Sequence, residues 1–152
     1  MKNLLFVAVL LIFGFVSSCK KDETTTPAKP KKEIISLKAW VVNEVVVSGA
    51  SVYTKGGTDL ANVGFAKVVL NFKADGSITG SDNSGKAIPS SAKWILSSDE
   101  TKLNLTNTGV PGLDGDLSIV QLIETNFELK GRIVIPQLGT TPNDVNVKFI
   151  PQ

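Results

Sequence analysis

The chain has no histidine, one cysteine, one tyrosine and, at Arg132, one arginine. Without histidine there is no Ser-His-Asp or Cys-His arrangement, no common zinc ligand set and no ordinary near-neutral proton shuttle. A single cysteine excludes an intramolecular disulfide framework and a Cys-rich zinc site. Charge is sparse and balanced, with 16 basic against 14 acidic residues in 152. That is not the clustered basic footprint of a nucleic-acid binder. The length suits one domain with a tail. These absences point to a protein that is not an enzyme and carries no cofactor.

The N-terminus reads as an address. Lys2 precedes an apolar run of 13 residues, Leu4 to Val16. A bilayer-spanning helix needs about 20, so the run fits the core of a secretory signal instead. Ser17, Ser18 and then Cys19, the only cysteine, stand where such a signal is cut. The bland alternative is an ordinary signal peptide with a chance cysteine beside it. Val16-Ser17-Ser18-Cys19 resembles a bacterial lipobox, with Val in place of the usual Leu. That resemblance implies cleavage before Cys19, a diacylglyceryl thioether on its sulphur and an acyl chain such as palmitate on its new amine. Several chains anchor firmly, since each buried CH₂ contributes about 0.8 kcal/mol. Loss of residues 1–18 removes Lys2 and leaves 15 basic against 14 acidic side chains.

Lys20-Lys21-Asp22-Glu23 follows. Lys21, Asp22 and Glu23 resemble the export signal placed just after the lipidated cysteine in surface lipoproteins of Bacteroidetes-type bacteria. This implies an outer-membrane, lipid-anchored protein facing the cell surface. The alternative is a solvated charge run at the head of a linker. Thr24 to Lys32 holds two prolines and three lysines but no large apolar residue. Such a segment buries too little to offset its ordering entropy. Residues 19–33 therefore read as lipidated cysteine plus tether, with a reach of roughly 40 Å if extended at about 3.1 Å per residue.

From residue 34 to 152 no helical period persists. Short β-branched or alternating runs are bounded by Gly, Asp, Asn, Ser and Pro. The expected strands are 37–47, 67–73, 77–80, 93–96, 102–106, 116–124, 127–135 and 144–150. Val68, Leu70, Phe72, Trp94, Leu96, Leu103, Leu105, Phe127, Leu129, Val147 and Phe149 share the apolar phase and are expected to line one interior. No crossover helix intervenes, so pairing is antiparallel. Eight meandering strands close into a barrel, which removes exposed edges; a two-sheet sandwich fits the same periodicity.

The order of motifs resembles the lipocalin-like domain of Bacteroidetes-type outer-membrane lipoproteins. The motifs are a first strand carrying Trp40, then Val69-Leu70-Asn71-Phe72-Lys73-Ala74-Asp75-Gly76-Ser77, Lys93-Trp94-Ile95-Leu96-Ser97-Ser98-Asp99, Lys102-Leu103-Asn104-Leu105, Ile119-Val120-Gln121-Leu122, Phe127-Glu128-Leu129 and Val147-Lys148-Phe149. The resemblance spans Ile34 to Ile150. It implies an all-β, antiparallel, eight-stranded up-and-down barrel able to hold a small apolar or amphipathic ligand. Two features depart from lipocalins. No glycine stands two residues before Trp40, and the only arginine available to latch across that tryptophan is Arg132.

The oxygen-rich clusters Asp114-Gly115-Asp116 and Ser81-Asp82-Asn83-Ser84-Gly85 do not follow the calcium-loop pattern, and turns require such residues anyway. No metal site is expected. Ser48 to Gly64 reads as one long connection, carrying Tyr53 to the mouth of the barrel. Connections of that length are often functional. Tyr53, Trp40 and Trp94 are the candidate ligand contacts. Two functions remain open. One is a membrane-anchored module binding an apolar ligand in its cavity. The other is an interaction protein, an inhibitor or accessory subunit, with a filled barrel and working loops. The protein is read as a monomer.

Overall fold

The computed structural model describes residues 29–152. Cys19, Lys21, Asp22 and Glu23 lie outside them. A short helix, α1 (Lys31–Ser36), precedes nine strands: β1 (Trp40–Val47), β2 (Ala50–Thr54), β3 (Val69–Phe72), β4 (Ile78–Ser81), β5 (Lys93–Leu96), β6 (Lys102–Thr106), β7 (Gly115–Ile123), β8 (Asn126–Ile133) and β9 (Asn143–Pro151).

One sheet runs in the order β4-β3-β1-β9-β8-β7-β6-β5, with every pair antiparallel. Its two outer strands come together. Ser77 bridges Lys93, the Trp94 amide donates to the Gly76 carbonyl at 2.8 Å, and the Ile78 amide to that of Ala92 at 3.2 Å. The sheet thus curls into a nearly closed eight-stranded up-and-down barrel. A sandwich needs two separate sheets, and here there is one.

Alternation builds this barrel. Val68, Leu70, Phe72, Trp94, Leu103, Leu105, Phe127, Leu129, Val147 and Phe149 are all buried, while Leu96 is partly buried and packs against that core. Strand neighbours of opposite phase, such as Lys93, Lys102 and Lys130, face solvent. Residues of one phase point to one side of a sheet, so once the sheet closes they share one interior.

Two expectations need correction. Residues 48–64 are not one loop. Ser48 and Gly49 adopt positive φ and turn β1 back into β2, which pairs from Val47↔Ala50 to Glu44↔Thr54. Tyr53 sits on that strand, 3% exposed, with its ring 5.7 Å from that of Phe65. It is a core residue and not a mobile mouth residue. Nor does the tether run to residue 33. α1 begins at Lys31 because Ile35 buries completely and its carbonyl accepts the Trp40 indole N–H at 2.9 Å. The first strand accordingly starts at Trp40, and Leu37 caps the helix.

Candidate functional site

The barrel has two unlike ends. At one, which we call the base, the strands are joined by tight turns at 73–77, 97–101 and 124–125, and α1 packs beside β7 and β3. Each turn is tied by its own polar groups. The Asp75 carboxylate accepts from the Ser77 amide and hydroxyl. The Asp99 carboxylate accepts from the Ser97 hydroxyl at 2.6 Å and the Thr101 amide at 3.1 Å, which hold it down at about 2. Lys29 pairs with Glu124 at 2.7 Å, and the Lys31 ammonium donates to the Glu100 carbonyl at 2.6 Å. These contacts strap the chain entering α1 to the base.

The opposite end carries the long connections, 55–68, 82–92, 107–114 and 134–142. Here polar side chains serve the backbone. The Asp59 carboxylate accepts from the amides of Val63, Gly64 and Phe65. Asn83 donates to the Val63 carbonyl at 2.8 Å, and a side chain at Gly64 would meet the Asn83 carbonyl. Asp114 accepts from the amide and hydroxyl of Thr108, the one fully buried polar residue among those described. These loops are therefore ordered by buried and half-buried hydrogen bonds.

The loops also plug the barrel. Phe65, Val110, Leu113 and Ile135 turn inward and are 2–6% exposed. Beneath them, against Val42, Val145 and Val147, remains an apolar space of about 10 Å³. A single water needs about that much; a small-molecule pocket needs roughly 300–1,000 Å³. The base half is filled by aromatics. Phe127 meets Trp40 at 5.4 Å, Phe149 at 5.5 Å and Phe72 at 6.0 Å, and Phe72 meets Trp94 edge-on at 5.7 Å. Offset and edge-to-face contacts of this kind add to area burial.

The three candidate ligand contacts are thus placed apart and inside the packing. Trp40 is fully buried at the base. Trp94 is 3% exposed, and its indole N–H donates to the Lys73 carbonyl at 2.9 Å. Tyr53 packs on Phe65 under the plug. Burial, with a smaller contribution from the Asp59 carboxylate, raises the Tyr53 phenol above its ordinary 10. Arg132 lies exposed at the loop end, 3.8 Å from Asp144, so Trp40 is held by α1 and Phe127 rather than by an arginine latch. The acidic clusters serve a turn at Asp82, a loop at Asp114 and a cross-strand pair of β6 and β7 at Asp116. Asp82 accepts from Ser84 and Lys86, and Asp116 accepts from Asn104.

What the sequence did not reveal is the plug. Phe65, Val110 and Leu113 stand among glycines and prolines, where neither period applies. Their only signal is that a large apolar residue in a Gly-rich connection must bury somewhere. Among the described residues the outer surface keeps seven large exposed apolar residues. Leu60, Val134 and Leu138 stand on or beside the long connections. Leu37, Ile95, Val120 and Ile123 stand in the base half. Among the described residues no helix is long and apolar enough to cross a membrane. No protein-family model matches the chain, and no curated protein matches it.

Proposed function

We propose that this chain is a lipid-anchored interaction protein, in which the filled barrel is a rigid stand and the long connections meet a protein partner. One observation carries the reading. The apolar space beneath the plug is the size of a single water, while the long loops project from the end opposite the one where the chain enters α1. The lipobox-like Val16-Ser17-Ser18-Cys19 supports anchorage through Cys19. Lys21-Asp22-Glu23 supports display from the outer membrane toward the cell surface. The motif order supports kinship with lipocalin-like domains of Bacteroidetes-type lipoproteins. Binding of an apolar ligand within the barrel requires the plug to move, and nothing in the packing favours that over the loop reading.

Two measurements on protein purified from its own host test the proposal. Native mass spectrometry is expected to give the mass of the chain from Cys19 plus its acyl groups, with no small molecule retained. Cys19→Ser should abolish the acyl mass and the membrane association. A bound small molecule of fixed stoichiometry overturns the stand reading; unchanged membrane association in Cys19→Ser overturns the anchor.

A further inference from the structure

The base carries an apolar strip that the barrel does not use. Pro30, Leu37 and Ala74 line an open groove of about 450 Å³ together with Lys32, Glu33 and Ser36. A second groove, of about 250 Å³, runs on past Ala74, Lys32 and Asp75 to Ile95. The two share Lys32 and Ala74, so they form one continuous surface from Leu37, 42% exposed, to Ile95, 66% exposed. Exposed aliphatic side chains of this size cost hydration free energy that contact with an apolar phase recovers. Lys32 stands over both grooves and makes no ion pair among the described residues. An aliphatic stem along apolar surface with its ammonium toward water suits a lipid–water interface.

The position of the strip selects the occupant. Only nine residues lie between Cys19 and Lys29, and a fully extended chain covers at most about 3.6 Å per residue. Lys29 is itself pinned to the base by Glu124. The tether therefore leaves from this end and holds it nearer than the loop end to whatever holds Cys19. A short linker gives an effective concentration near the millimolar range, so even a weak contact is populated. We propose that the strip from Leu37 to Ile95 docks the base of the barrel on the lipid surface that anchors Cys19. The inference rests on the lipoprotein reading. Lipid is favoured over a protein partner because the tether to Cys19 leaves from this end of the barrel.

The test uses the mature lipidated protein in vesicles of equal parts phosphatidylcholine and phosphatidylglycerol. Ala74→Cys and, at the loop end, Lys86→Cys are each labelled with an environment-sensitive fluorophore; the parent, its Cys19 sulphur acylated, takes no label. Flotation with the vesicles is scored first. The proposal expects a blue shift at position 74, with most emission lost to brominated lipid, and neither change at position 86. Lys32→Glu combined with Leu37→Ser should reverse the shift at 74 while leaving flotation and the melting temperature unchanged. Vesicles that float with a water-like label at 74 overturn the docking and leave the anchor standing. Quenching at both positions overturns it too, since the barrel then lies on its side. Failure to float, or a parent that takes label at Cys19, overturns both the anchor and the docking that depends on it.

Discussion

Tyr53 is the residue at which the structure departs furthest from the sequence reading. Val52-Tyr53-Thr54 lies between Gly49 and Gly56-Gly57 and looks like loop. Its ring nonetheless packs on Phe65 at 3% exposure. Tyr53→Ala is therefore expected to cost about 3–5 kcal/mol, the range for removing a buried aromatic ring, in a urea melt; a loss within about 0.5 kcal/mol, as at a surface site, returns the ring to a mobile loop. Asp99 gives a second test at this scale. Its folded value of about 2 lies below the ordinary 3.8. The turn's contribution to stability is thus complete above 3.8 and is lost as pH falls from there through 2. Ser97→Ala removes the nearer of the two donors and should move the Asp99 titration, followed by NMR of the side-chain carboxyl, up toward 3.8. An unmoved midpoint means that the hydroxyl does not hold the carboxylate.

At the scale of elements, the strand phases were legible and the exceptions were not. Alternation placed Phe127, Leu129, Leu103 and Leu105 inward because each strand is half buried, and half burial writes period two into the sequence. β2 is different. Ala50-Ser51-Val52-Tyr53-Thr54 shows no clean alternation and lies between Gly49 and Gly56, and it becomes a strand because β1 offers it an edge. α1 is equally silent. A six-residue helix has too few turns to show a period, and its stability comes from tertiary contact, here through Ile35 and the Trp40 indole. Gly80 marks where β4 closes on its neighbour. It has φ 136°, and a Cβ there would lie 1.9 Å from the Val69 carbonyl oxygen. That contact is with backbone, so β3 and β4 must separate to relieve it. Gly80→Ala should lower stability by more than about 1–3 kcal/mol, the cost of the backbone strain alone. Amide exchange should accelerate first in β3, β4 and the 86–94 segment. Uniform exchange across all strands would show that the closure is not a separate weak point.

At the scale of the molecule, the composition excluded His-based chemistry, and the alternating runs allowed either a barrel or a sandwich. Whether the barrel is full depends on how much volume the connections deliver to its mouth, and no local pattern records that. The Asp59, Asn83 and Thr108–Asp114 hydrogen bonds fix the loops that deliver it. With the interior occupied at both ends, by the aromatics above α1 and by the plug, the surfaces left for function are the loops and the base. That the barrel is filled decides between the two readings of its function. This is tested most directly by titrating the purified protein with a fluorescent fatty-acid analogue. A filled barrel gives a small, non-saturating signal that excess unlabelled fatty acid does not displace. Saturable one-to-one binding, displaced by unlabelled fatty acid and lost when Val110 or Leu113 is enlarged, would contradict it.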